Sequence, residues 1–312
     1  VVNVAQQRNI RANGLDFVID VQGPADGEPL LLIMGLGMQL TAWPEELVAD
    51  LVQRGYRVIR MDNRDIGHSQ HLDHLGVPSL LRAGLRHALR LPVKSPYSLA
   101  TMAEDAVAVL DALDVSSAHV CGASMGGMIA QHMAARYPRR VRSLTLVMTS
   151  SGARRLPQPK SAVRRALLSR SKGRDLASLV AHYQHFFHLI GSPGYRPEPA
   201  QMRERLEASL RRSYHPAGTA RQILAIAADG DRSALLGRIR APVHVIHGQD
   251  DPLIPVAAAH DLVRKIAHAS VDLIDGMGHD LPLPLMPRLA EGIDRNARRA
   301  VDGPVERTRP CA

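Results

Sequence analysis

The sequence predicts an α/β protein, with a mostly parallel central sheet, helices on both faces and a helical cap inserted into it. Three observations carry this. Short apolar runs of strand type alternate with helix-period segments as far as Met148, and this alternation is the signature of parallel strands joined by right-handed helical crossovers. From Thr149 to Arg240 the strand signal disappears and only helical patterning remains. It then returns at Val243, so the helical stretch interrupts the sheet and does not follow it. The 312 residues, 45% hydrophobic and 22% charged, suffice for a large buried core and exclude a wholly disordered or fibrous chain.

Val18 to Val21 and Pro29 to Gly35 read as strands. The second is a continuous apolar run ending in glycine, as expected where a sheet is covered on both faces. Trp43 to Arg54 repeats Leu47, Leu51 and Val52 at helical spacing, with Pro44 in its first turn and Gly55 stopping it. Tyr56 to Asp62 is the next strand. Leu80 to Leu91 reads as a small amphipathic helix that either walls an acyl pocket or covers the core. Thr101 and Glu104 suggest a capping box at the head of a helix running to Leu113. Ala118 to Gly122 is a short strand, Met128 to Tyr137 a helix ended by Pro138, and Val141 to Met148 another strand. Helices are expected over Ala162 to Leu168, Leu176 to Ile190 and Gln201 to Leu210. Strands follow at Val243 to His247 and Val271 to Ile274, with a helix near Val256 to Ile266 between them and a last helix from Pro287. The resulting division is a core over 1–148 and 241–300, a cap over 149–240 and a flexible tail over 301–312.

The net charge of +9 is regional. Ser151 to Arg240 holds 17 Lys or Arg against 6 Asp or Glu, leaving 22 against 24 elsewhere. With only 3% aromatic residues the chain lacks stacking platforms for single-stranded nucleic acid, so no nucleic-acid partner is expected. The basic cap is instead a candidate for weak contact with an anionic lipid surface or for an anionic substrate. No apolar run approaches the ~20 residues of a membrane-spanning helix. The polar start with Arg8 lacks the order of a secretory signal, and Cys121 and Cys311 form neither a disulfide framework nor a metal cluster. A cytoplasmic location is the expectation. No sequence feature indicates an oligomeric state.

Gly122-Ala123-Ser124-Met125-Gly126 is a G-x-S-x-G pattern between a strand and a helix, the context that makes it meaningful. A sharp turn there lifts the Ser124 hydroxyl to the carboxyl end of the sheet. Gly122 and Gly126 leave room for the neighbouring chain, and the Met125 N–H faces an incoming carbonyl oxygen. A serine hydroxyl needs a histidine base and an orienting carboxylate, in the order Ser, Asp, His. The loop after His247 offers Asp250 and Asp251, and the loop after the last strand offers His279 between Gly278 and Asp280.

With GASMGG at 122–127, HGQDDPLIP at 247–255 and GMGHDLP at 276–282, the chain resembles the α/β-hydrolase superfamily over nearly all of residues 15–298. Met34-Gly35-Leu36-Gly37 and the segment Asp62 to Ser69 make it most similar to bacterial carboxylesterases and lipases of the aclacinomycin methylesterase type. The resemblance implies Ser124 as nucleophile, His279 as base and Asp251, directly before Pro252, as the carboxylate, with Asp250 as the fallback. It places the oxyanion on the Leu36 and Met125 N–H groups and requires neither metal nor organic cofactor. It also shows a departure, since Asp65 stands where the family has a glycine, in a loop read as structural. Serine at the elbow argues against the dehalogenases and epoxide hydrolases of the superfamily, which carry aspartate there.

The implied activity is hydrolysis of a carboxylic ester with an apolar acyl part, through an acyl-enzyme. A phospholipase or acyl-CoA thioesterase using cap residues such as Arg164 and Arg165 for anionic head groups is the alternative. Perhydrolases and carbon–carbon hydrolases use the same triad, so the triad alone does not fix the reaction. A non-catalytic ligand-binding member is a remoter one, against which the complete Ser, Asp, His order argues. His182, His185 and His188 progress round one helix without a cysteine and are not read as a zinc site. Cys121 is read as a small buried hydrophobe.

Overall fold

The computed structural model describes residues 7–301 apart from Arg90 and Arg170. In chain order the elements are β1 (Gln7–Ala12), β2 (Leu15–Gln22), β3 (Glu28–Ile33), α1 (Glu45–Gln53), β4 (Tyr56–Met61), α2 (Leu80–Ala88), α3 (Leu99–Asp111), β5 (Ala118–Ala123), α4 (Met125–Arg136) and β6 (Val141–Val147). Then come α5 (Ser161–Leu167), α6 (Leu176–Ile190), α7 (Pro199–Arg212), α8 (Pro216–Asp229), α9 (Ser233–Leu236), β7 (Val243–Gly248), α10 (Ala257–Lys265), β8 (Ala269–Ile274) and α11 (Met286–Val301). One eight-stranded sheet has the order β1-β2-β4-β3-β5-β6-β7-β8. The pairings of β1 with β2 and of β2 with β4 are antiparallel, and all others are parallel.

Strand residues alternate between two cores, as the two-residue period of a pleated strand requires. Leu31, Ile33, Val120, Leu146 and Val245 pack with α3, α4 and α10 on one face. Leu30, Leu32, Cys121, Val147 and Ile246 pack with α1 and α11 on the other. Covered on both sides, these strands are apolar along most of their length, which is why they stand out in the sequence. β1 does not stand out, because it is an edge strand whose residues are mostly exposed or half-buried.

Three expectations are corrected. The cap of α3 is Ser98, whose hydroxyl accepts from the Thr101 N–H at 3.0 Å, so Thr101 lies inside the first turn and the Thr101–Glu104 capping box does not form. The segment from Leu80 does not line the cavity found between core and insertion and adds no residue to either core cluster: α2 rests beside α8, half-buried at Leu80 and Ala83, with its other leucines in solvent. The helical stretch also holds α8 and α9 besides the three helices expected there. α8 reaches the core closely because Gly218 lies where a Cβ would meet the Asp65 backbone. The tail expected over 301–312 lies outside the described residues beyond Val301, as does Cys311. Among the described residues no helix is long and apolar enough to cross a membrane.

Candidate active site

The site forms where β3, β5, β7 and β8 end. Ser124 sits between β5 and α4 with φ 53° and ψ −119°, a left-handed conformation that costs a residue with a Cβ on the order of 1–3 kcal/mol. The surroundings hold it there. Its N–H donates to the Val147 carbonyl at 2.9 Å, and its own carbonyl accepts from the Thr149 hydroxyl at 2.7 Å. A Cβ on Gly122 would meet the Gly126 backbone, and one on Gly126 would meet the carbonyl oxygen of Ile33, so neither position tolerates a side chain.

His279 Nε2 lies 3.0 Å from Ser124 Oγ, and its Nδ1 lies 2.6 Å from Asp251 Oδ2. A carboxylate only accepts, so Nδ1 carries the proton and Nε2 is left to accept from the serine. Asp251 Oδ1 is held by the Leu253 and Ile254 N–H groups at 2.9 and 2.8 Å. His247 Nε2 donates to the Ile254 carbonyl at 2.8 Å and lies 3.6 Å from Asp251 Oδ2, and burial pushes its imidazole below the usual range. Asp251 and His279 are buried, whereas Ser124 is half-buried. Asp250 is exposed and turned away, accepting from the Gly276 N–H at 2.9 Å.

The turn after β3 closes with a bond from the Met38 N–H to the Gly35 carbonyl, 3.2 Å, and presents Gly35 against Ser124. Among the described residues neither the Leu36 nor the Met125 N–H has a hydrogen-bond partner, leaving both donors free for an oxygen. Cys121 is buried below the elbow, where burial pushes its thiol up.

Sequence reasoning missed the residues through which the helical insertion grips this site. On α8, the Gln222 carbonyl oxygen accepts from the Gly37 N–H at 2.9 Å and its amide donates to the Arg64 carbonyl at 3.0 Å, fixing the turn that carries Leu36. Arg221 forks onto Asp65 at 2.6 and 2.8 Å, with both side chains fully buried. Asp65 has φ 71°. After α6, the Ser192 hydroxyl donates to Asp280 at 2.5 Å and accepts from the Gly278 N–H at 2.9 Å, while the His279 N–H donates to the Ile190 carbonyl at 2.7 Å. The only sequence signal for any of these was the aspartate in a glycine's place.

Beside the Leu36 turn a cavity of mixed lining opens between core and insertion, with Met38, Ile66, Phe187, Leu206 and Leu210 beside Gln39, Ser209, Ser213, His215 and Thr219. Arg164 and Arg165 are exposed on α5 and do not line it. His182, His185 and His188 do not converge. Among the described residues one trio, His71, Asp73 and His215, brings ligand-type atoms together. The His71 and His215 rings stack at 3.8 Å and 2°, so their lone pairs lie in parallel planes and do not meet at one ion. His71 Nε2 and His215 Nδ1 instead donate to the Gly67 and Asp65 carbonyls at 3.0 and 2.8 Å.

Residues 28–283 match the family described as alpha/beta hydrolase fold. The chain is 31% identical over 298 residues to rhodomycin D methylesterase DauP of Streptomyces sp. strain C5, covering 89% of this chain and 93% of that protein. It is 32% identical over 305 residues to rhodomycin D methylesterase DnrP of Streptomyces peucetius, with the same two coverages. Among solved structures, a meta-cleavage product hydrolase of Pseudomonas fluorescens IP01 superposes with a TM-score of 0.73 at 19% identity, over 96% of this chain and 100% of that one.

Proposed function

The chain belongs to the alpha/beta hydrolase fold family, and from that premise we propose that it is a serine hydrolase cleaving a carboxylic ester with an apolar acyl part. The observation that carries the reading is the unbroken line from Ser124 Oγ through His279 to Asp251, with links of 3.0 and 2.6 Å. The two methylesterase relatives support an ester as the bond attacked. Met38, Ile66, Phe187, Leu206 and Leu210, the apolar residues of the mixed cavity at Gly37, support an apolar acyl part.

In the proposed reaction Ser124 Oγ bonds to the ester carbonyl carbon as its proton passes to His279 Nε2. The carbonyl oxygen becomes an oxyanion held by the Leu36 and Met125 N–H groups. Collapse breaks the bond to the alcohol oxygen, which leaves with the proton from His279. A water molecule then gives a proton to His279, attacks the acyl-enzyme and releases the acid while Ser124 recovers its hydrogen. Asp251 holds the tautomer throughout and stabilises the imidazolium. The helices over 149–240 act as a cap that bounds the acyl cavity and, through Gln222 and Ser192, steadies the Leu36 turn and the His279 loop.

The test is hydrolysis of p-nitrophenyl esters from acetate to palmitate, with fluorophosphonate labelling alongside. Ser124→Ala and His279→Ala should each lower kcat by about 10⁴–10⁶-fold, and Ser124→Ala should abolish labelling. A parent protein that neither turns over an ester nor labels would overturn the assignment.

A further inference from the structure

Among the described residues nothing covers the leucine ridge of α2. Leu81, Leu85 and Leu89, at i, i+4 and i+8, fall on one side of the helix and its last turn, 84%, 61% and 60% exposed, and Val77 and Leu91 extend the patch at 71% and 47%. A helix of a globular protein ordinarily turns such a stripe inward. Here the inward side is the other one, at Leu80 and Ala83, so the fold is complete with the ridge still in water. The charge along the segment between Asp73 and Glu104 is one-signed. Residues 74–103 contain four Lys or Arg and no Asp or Glu. Arg82 and Lys94 are exposed, while the Arg86 guanidinium donates to the Pro92 carbonyl at 2.7 Å and ties down the chain beyond the helix.

We propose that α2 is an interfacial helix that seats the protein on an anionic lipid surface. The leucines enter the boundary between head groups and acyl chains, and Arg82 and Lys94 meet the lipid phosphates. This occupant uses both features of the patch. A second copy of the chain would set two basic helices against each other on molecules of net charge +9, and a nucleic acid would leave the leucines in water. The inner side of α2 rests on α8, the helix that reaches the Leu36 turn through Gln222, so an esterase held this way keeps its site close to the lipid phase.

The experiment is co-sedimentation of the full chain with vesicles of phosphatidylcholine alone and of an equimolar mixture with phosphatidylglycerol. Binding is expected to the anionic vesicles only and to weaken as salt is added. Leu81→Ser/Leu85→Ser should weaken it by about tenfold or more, and Arg82→Glu/Lys94→Glu by about tenfold or more. Both variants should keep the parent's melting temperature, since neither pair of side chains is packed in the core. Three results would overturn the proposal: a parent that ignores anionic vesicles, a leucine variant that binds them as tightly as the parent, or a parent dimer in lipid-free solution that the leucine variant converts to monomer.

Discussion

Asp65→Gly restores the residue the family favours at a left-handed position, yet it should destabilise this protein. At φ 71° an aspartate carries strain that glycine does not, and relieving it is worth about 1 kcal/mol. Against this, the substitution removes the fork at 2.6 and 2.8 Å from Arg221, a guanidinium with no solvent exposure. Arg221 keeps only the Gly76 carbonyl at 2.7 Å and a distant Asp73 oxygen at 3.4 Å. Stranding one member of a buried pair costs about 3–5 kcal/mol, so the net loss is about 2–4 kcal/mol. With an unfolding entropy of ~2.1 cal/mol/K per residue over a chain of 312, each kcal/mol moves the midpoint by ~1.5 °C, and Asp65→Gly should melt roughly 3–6 °C below the parent. Asp65→Gly/Arg221→Met, which takes the stranded charge away as well, should recover most of that. Thermal melting followed by circular dichroism reads both. The reasoning is refuted if the single variant melts at or above the parent, or if the double variant melts no higher than the single.

The two adjacent aspartates give a sharp contrast in steady-state kinetics on a p-nitrophenyl ester. Asp251→Asn should lower kcat by about 10⁴-fold, because an amide permits the wrong imidazole tautomer, while Asp250→Asn should leave kcat within about twofold. The reverse pattern would move the carboxylate role to Asp250. Two buried imidazoles contribute to the pH dependence of stability: burial, aided by Arg142 beside His119 and by Arg295 beside His244, pushes each down to about 4. The unfolded chain therefore binds more protons between pH ~6.5 and ~4, so stability is full above that window and falls as the pH drops through it. His119→Gln and His244→Gln should each flatten the decline in melting temperature, and an unchanged slope in both would remove these residues as its source.

What was legible in the sequence follows from how each feature is enforced. β3, β5 and β7 are largely apolar because helices cover both faces, and that burial marks most of their residues, with His119, His244 and His247 as the buried exceptions. The elbow is legible for a similar reason: the Ser124 backbone conformation is tolerable only with the Gly126 and Ile33 backbones pressed together, so the glycines are written beside the serine. Asp250 and Asp251 could not be separated in this way, because the choice lies in which backbone N–H groups hold each carboxylate, Gly276 for one and Leu253 with Ile254 for the other. The grip of the insertion on the site was less legible still. Its bonds join residues 86, 156 and 185 positions apart, Gly278 to Ser192, Asp65 to Arg221 and Gly37 to Gln222, and no local pattern encodes such a pairing. Two local irregularities nevertheless pointed to tertiary demands: an aspartate where a turn favours glycine, and a leucine ridge among arginines with no acidic residue between Asp73 and Glu104. The first is resolved inside the protein by Arg221. The second finds no partner among the described residues, and the anionic lipid surface proposed above is the occupant that suits both its leucines and its cations.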